Sequence, residues 1–407
     1  MGEAQPKECA DGKETDNLSV EDAERDINIL RGLAENEGSK AMTEYINETL
    51  NRWKKEEVKF AITGRSATGK STFINTIRNL KPGDDGFARA GSGDTTIKPT
   101  LYMHPTNDQI AFYDLPGYSS TTFKKEDYIS EMKISDYDFI LIFSNNVVGE
   151  DEVWLVGELR KLGKPFSLVR SKIDIDIDNA KYDGNDEKMV IPEIKGKIQK
   201  ALQVNPELKD TKGIFLISSR KSDLGEMSAL LRYVEENIDE LKAQALLFSL
   251  HSITKTILVR KHKMLQKRLV SVTALVVGIS AIPVPGVDVV NIGLLVHEVR
   301  HYMNVFEVQS EIVNSLKDFD HSLLKCRALL EANACINMLP FITAKLKTYG
   351  RLLISQSLLK LIIPFFGSVI SAANNAWTIY TFLDEMLQDI KHDAMLIHEH
   401  TCIYHEN

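Results

Sequence analysis

The run Gly64-Arg65-Ser66-Ala67-Thr68-Gly69-Lys70-Ser71-Thr72 has the residue types and spacing to hold a chain of phosphates. Two glycines let the backbone turn its N–H groups inward around β- and γ-phosphates, where a Cβ has no room. Lys70 then meets the phosphate charge. Ser71 begins a helix, offers a hydroxyl to Mg²⁺, and adds the positive end of the helix to the same anion. Downstream, Asp114-Leu115-Pro116-Gly117 supplies a carboxylate for the metal's water shell and a glycine N–H for the γ-phosphate. In the polar segment 83–96, Thr95 or Thr96 can give Mg²⁺ its second protein ligand. Ser171-Lys172-Ile173-Asp174 reads the base: Asp174 accepts from N1–H and the 2-amino group of guanine, which adenine lacks, while the Lys172 stem lies along the ring. Ser171 is smaller than the Asn or Thr usual at that place, and is expected to brace the loop less. A backbone N–H at Ser218-Ser219 completes the guanine contacts. The expected substrate is GTP, the product GDP and the cofactor Mg²⁺.

A second chemistry is written in His297-Glu298-Val299-Arg300-His301, a literal H-E-x-x-H. On a helix it places two imidazoles on one face with a carboxylate beside them, as in a zinc peptidase. Its surroundings argue against that: position 307 is Glu rather than a third His, and Arg300 sets a cation beside the metal. The tail, with His398, His400, Cys402 and His405, is read as a frayed terminus before a chelate.

The elements that must position these residues follow from periodicity. Short apolar runs at 58–63, 101–103, 109–113, 138–144, 165–169 and 214–217 read as strands. Between and after them, 153–162, 191–202 and 227–241 read as helices. Such alternation predicts an α/β doubly wound sheet with ligands at the carboxyl ends of its strands. Helical spacing at 21–55, broken near Gly38, and long helical stretches beyond 241 predict an all-α companion domain. The expected organisation is an arm over 1–20, N-terminal helices over 21–55, a nucleotide domain over 56–240 and a C-terminal helical domain over 241–407.

A chain of 407 residues with a net charge of −8 lacks the overall cationic surface of a general nucleic-acid binder, so no nucleic acid is expected as a partner. Four cysteines make no disulfide framework, and no apolar segment follows Met1, so the reading is cytoplasmic. Pro6 stands where a myristoylation motif starting at Gly2 wants Ser or Thr. The apolar stretches 269–296 and 352–370 are each interrupted by proline, glycine or charge and read as buried or interfacial helix, not as spans. The basic run 255–268 and the stretch 352–370 are the expected contacts with a lipid surface.

Taken together, the P-loop continuing as Ser71-Thr72-Phe73-Ile74-Asn75, Asp114-Leu115-Pro116-Gly117-Tyr118, Val169-Arg170-Ser171-Lys172-Ile173-Asp174 and Ala281-Ile282-Pro283-Val284-Pro285-Gly286 resemble the immunity-related, interferon-inducible GTPases, in the branch with Lys in the P-loop. The resemblance implies a Ras-like P-loop domain combined with a helical domain built from both ends of the chain. It implies GTP hydrolysis to GDP, a GTP-dependent homodimer or higher oligomer across the nucleotide face, association with related GTPases, and peripheral action on intracellular membranes in innate immunity. It also places the metal-ligating threonine at Thr96 and a catalytic acid at Asp94, where the family usually has Glu; with Lys70 these are the expected catalytic residues. Ser171 and Ser219 stand where the family commonly has Thr and Asn. Tyr118 occupies the place where small GTPases commonly carry a water-orienting Gln, which predicts slow intrinsic hydrolysis.

Overall fold

Runs of β-branched and aromatic residues build one six-stranded sheet in the order β2-β3-β1-β4-β5-β6. The strands are β1 (Val58–Gly64), β2 (Thr100–His104), β3 (Asn107–Asp114), β4 (Phe139–Ser144), β5 (Phe166–Arg170) and β6 (Ile214–Leu216). The computed structural model describes residues 20–89, 98–118, 125–144, 149–204, 209–252, 254–280, 287–334, 338–353 and 369–405. All six expected strands are present. Every pair is parallel except β2 with β3, which is antiparallel. β4 is buried along its whole length, as a parallel strand covered on both faces must be. Phe60 on β1 lies beside Phe112 on β3, their rings stacked at 5.3 Å.

β1 is the switch point. The chain leaves it for β2 and β3 on one side and then crosses to β4 on the other, which opens a crevice at its carboxyl end. The helices are α1 (Val20–Asn36), α2 (Ser39–Leu50), α3 (Lys70–Ile77), α4 (Lys125–Glu131), α5 (Glu150–Lys161), α6 (Ile173–Tyr182), α7 (Glu187–Gln203), α8 (Met227–Glu236), α9 (Glu240–Ser249), α10 (Lys255–Ser280), α11 (Val287–Val305), α12 (Ser310–Ser315), α13 (Arg327–Ala334), α14 (Met338–Leu353) and α15 (Val369–His405).

Two breaks were not legible from periodicity. The helix expected over 227–241 divides because the Asp239 carboxylate accepts the Leu241 N–H and starts α9 anew. The helical run around 246–268 divides before α10, where the Thr254 hydroxyl accepts the Ile257 N–H.

The chain separates into two compact units that cut it differently from the boundaries read at 55 and 240. One comprises 1–47, 266–298 and 337–386; the other comprises 48–265, 299–336 and 387–407. In the first, Tyr45 donates to Asp26 at 2.6 Å, and Arg268 forks onto the wholly buried Glu298 at 2.9 and 3.0 Å. In the second, Asp138 joins β1 to α9 by accepting the Lys59 N–H and the Lys242 ammonium. Trp53 packs edge-on against Phe248 of α9, and Asp393 of α15 accepts the Lys325 and Cys326 N–H groups. No helix among the described residues is long and apolar enough to cross a membrane.

Candidate nucleotide site

The phosphate loop is the turn from β1 into α3. Gly64, at φ +139°, passes so close to β4 that a Cβ there would stand 2.1 Å from the Phe143 carbonyl oxygen. Gly69 caps α3 in the left-handed region at φ +91°. The loop between them is held from within by the Thr68 hydroxyl donating to Arg65 O at 2.8 Å. The Lys70 ammonium lies back over the loop, donating to Gly64 O at 2.8 Å and Arg65 O at 3.1 Å. That places the cation over the amide cradle at the crevice.

β3 delivers Asp114 next to this loop: it pairs with Ile62, and Leu115 N donates to Ile62 O at 2.8 Å. Asp114 is buried, and its Oδ1 has no hydrogen-bond partner among the described residues. Burial pushes its carboxyl up to about 6 while Lys70 pulls it down. An orphaned buried carboxylate oxygen at the strand end beside this loop is the hard-oxygen donor that Mg²⁺ takes. Gly117 approaches the same loop; a Cβ on it would lie 3.3 Å from Gly64 O.

Tyr118 turns away from this crevice. Its ring is buried edge-on against Tyr128, and its hydroxyl donates to Glu152 of α5 at 2.9 Å. The Tyr128 hydroxyl in turn bonds Thr63 at 2.7 Å and Pro116 O at 2.9 Å, tying β1 to the Asp114–Gly117 segment. Glu152 also accepts the Gly149 N–H and sits 3.6 Å from Arg65, whose guanidinium reaches Asp151 at 3.2 Å.

The Ser171–Asp174 loop follows β5. Lys172 takes left-handed backbone angles, φ +61°, a conformation uncommon outside glycine, and caps α6, whose first turn carries Asp174. Ser171 donates its hydroxyl to Thr68 O, so it reaches the phosphate loop directly despite its size. Arg170 pairs with Asp176 at 2.7 Å behind it. Ile173 N donates to Ile217 O, and the Thr76 hydroxyl of α3 donates to Ser219 O at 2.7 Å, so the loop after β6 is tied to both neighbours. Ser218 is fully buried and accepts the Lys221 N–H.

The residues expected at 64–72, 114–117, 171–174 and 218–219 therefore meet at the carboxyl ends of β1, β3, β5 and β6. Asp94 and Thr96 lie outside the described residues. The peptidase arrangement does not form: Glu298 is engaged by Arg268, and the His301 ring packs against Trp53 and Phe248. Sequence reasoning missed Asp151 and Glu152, which hold Arg65 and Tyr118. Their signal was an acidic first turn, read by itself as favourable helix-end charge. Of the basic residues on α10, Lys255 pairs with Glu399, Arg260 with Glu235 and Arg268 with Glu298. Lys261 is buried, donating to Val305 O at 2.7 Å. Lys263 and Lys267 are exposed.

Comparison with known proteins adds a family. A family model described as "Interferon-inducible GTPase (IIGP)" matches residues 23–392. Interferon-inducible GTPase 5 of Rattus norvegicus is 28% identical over 384 residues, 92% of this chain and 82% of the relative. Interferon-gamma-inducible GTPase 10 of Mus musculus is 30% identical over 293 residues, 70% and 69% of the two chains. Among solved structures, Era in complex with MgGDPNP and 16S ribosomal RNA overlaps 45% of this chain and 57% of its own at 24% identity, with a TM-score of 0.32. An overlap that small adds nothing to the sheet order itself.

Proposed function

The chain belongs to the interferon-inducible GTPase family, and from that premise we propose that this GTP-hydrolysing enzyme binds Mg·GTP in the crevice at the end of β1 and converts it to GDP. The observation that carries the reading is the convergence of three loops: Gly117 lies against Gly64, while Ser171 bonds Thr68 across from it. Gly64, Arg65, Ser66, Ala67, Thr68, Gly69 and Thr72 wrap the phosphates with backbone amides. Lys70 neutralises charge on the transferring phosphoryl group, and Gly117 N–H donates to it. Lys172 and Asp174 select guanine, with Ser218 and Ser219 closing on its oxygen. Mg²⁺ fits the oxygens of Ser71 and Asp114, with Thr96 joining them in the GTP state, and when bound it would offset charge on the β- and γ-oxygens.

Tyr118 does not aim the attacking water in this reading, because its hydroxyl is bonded to Glu152 in the core. Self-assembly supplies the missing part in this reading: a second copy of the chain, or a related GTPase, meets the nucleotide face and orders the segment carrying Asp94. Action at an intracellular membrane rests on the family and on the sequence of the stretch 352–370, of which 354–368 lie outside the described residues, since most cations of α10 have internal partners. A GTP-regulated scaffold with negligible turnover is the second reading, favoured by the same buried Tyr118.

Phosphate release from Mg·GTP measured against protein concentration separates them. Specific activity climbing with concentration, ATP inert and Asp174→Asn losing its guanine preference is the expected result. Flat, negligible turnover at every concentration with tight GTP binding leaves the scaffold. Sedimentation with anionic liposomes in each nucleotide state tests the membrane contact, which fails if no state sediments.

A further inference from the structure

The C-terminal part of α15 is not frayed. The helix runs to His405, with His398 buried on it, because that face packs within the sheet's own unit. His398 and Cys402, one turn apart, share a helix face. The His398 Nε2 and Cys402 Sγ are 3.6 Å apart. Asp223, in the turn between β6 and α8, brings Oδ2 to 3.8 Å from the same sulfur, and the three ligand atoms all lie within 4.8 Å of one another.

We propose that Asp223, His398 and Cys402 form a Zn²⁺ site. A tetrahedral Zn²⁺ with bonds of about 2.3 Å to sulfur and about 2.0–2.1 Å to nitrogen or oxygen holds its donors roughly 3.5 Å apart. The two sulfur separations already stand within a few tenths of an ångström of that spacing. Thiolate and imidazole select Zn²⁺ over Mg²⁺, so this site is chemically distinct from the phosphate-side metal. Burial grades from His398 through the half-buried Cys402 to the exposed Asp223, which leaves a solvent-side fourth position for water. Lys255, paired with Glu399 at 2.8 Å, sits near Cys402 and Asp223. Binding takes Cys402 as thiolate, so the thiol proton leaves to solvent as the Zn–S bond forms. His400 is not a ligand; its Nε2 bonds Lys317 O at 2.7 Å.

The ion would link α15 to the turn that follows Ser218 and Ser219. The inference rests on the donor geometry and is independent of nucleotide turnover.

The test is a titration of the metal-free full chain with Co²⁺ and then Zn²⁺. The expected result is one equivalent bound, with a thiolate-to-cobalt charge-transfer band that Zn²⁺ displaces. Cys402→Ser abolishes the band. His398→Gln and Asp223→Asn each weaken Zn²⁺ binding by more than about tenfold. Asp223 is exposed, so Asp223→Asn keeps the metal-free melting temperature of the wild type, while losing the rise that Zn²⁺ gives the wild type. No stoichiometric band, or a band that persists in Cys402→Ser and so belongs to Cys9, Cys326 or Cys335, overturns the assignment.

Discussion

At the scale of single residues, Tyr118 decides more than its position in the motif suggests. Its hydroxyl and ring are consumed by Glu152 and Tyr128, so replacing it cannot install a water-orienting group. Tyr118→Phe should cost about 1–3 kcal/mol in urea unfolding, from the bond lost to the buried Glu152 side chain. Tyr118→Gln should cost more, because it sets a poorly partnered amide in the core, and should leave GTP turnover no faster. A several-fold gain in phosphate release from that variant would show that the side chain reaches the nucleotide after all. The phosphate and guanine motifs were readable because each is a short local pattern whose backbone job dictates glycine, lysine or carboxylate. The partners of Arg65 were not, since Asp151 and Glu152 lie 86 and 87 positions away and nothing local names their target.

At the scale of elements, β1, β4, β5 and β6 were legible because parallel strands buried on both faces must be continuously apolar, whereas β2, antiparallel and largely exposed, showed only the short run 101–103. Helix ends were less so: side-chain caps such as Asp239 act on one amide and leave the periodicity of the flanking turns intact. The H-E-x-x-H shows the same limit. Helical spacing set two histidines and a glutamate on α11, but Arg268 on α10, thirty residues earlier, makes Glu298 half of a buried ion pair. Glu298→Ala should therefore destabilise the chain by about 3–5 kcal/mol, through the buried cation left behind. The double change Arg268→Met, Glu298→Leu should recover most of that loss in thermal or denaturant unfolding. Equal loss in both variants would mean that packing, not charge, sets the cost.

At the scale of the whole molecule, acid should be felt first through His104. Burial, followed by the Arg78 charge, pushes its pKa from 6.5 down to about 4. The unfolded chain thus binds more protons between those values, and stability rises with pH across them, being lost as pH falls below about 6.5. Asp114, pushed up to about 6, titrates with the opposite sign over an overlapping range, so the readout is the difference between wild type and His104→Gln. That difference should change by about 3 kcal/mol between pH 4 and pH 7; parallel curves would show that His104 takes up its proton in the fold as readily as in the unfolded chain. The division of the chain into two units has one further consequence, for the order in which it is made. The sheet's unit draws on residues 48–265, 299–336 and 387–407, and Asp393 on its last segment holds the amides of Lys325 and Cys326. A ribosome finishes the last strand near residue 216 and must still deliver more than a hundred residues before that unit has all its parts. The nascent chain therefore spends that interval with the sheet paired but two of the unit's three segments still missing, which is where a holding chaperone would be needed and where a stalled ribosome would leave an aggregation-prone product.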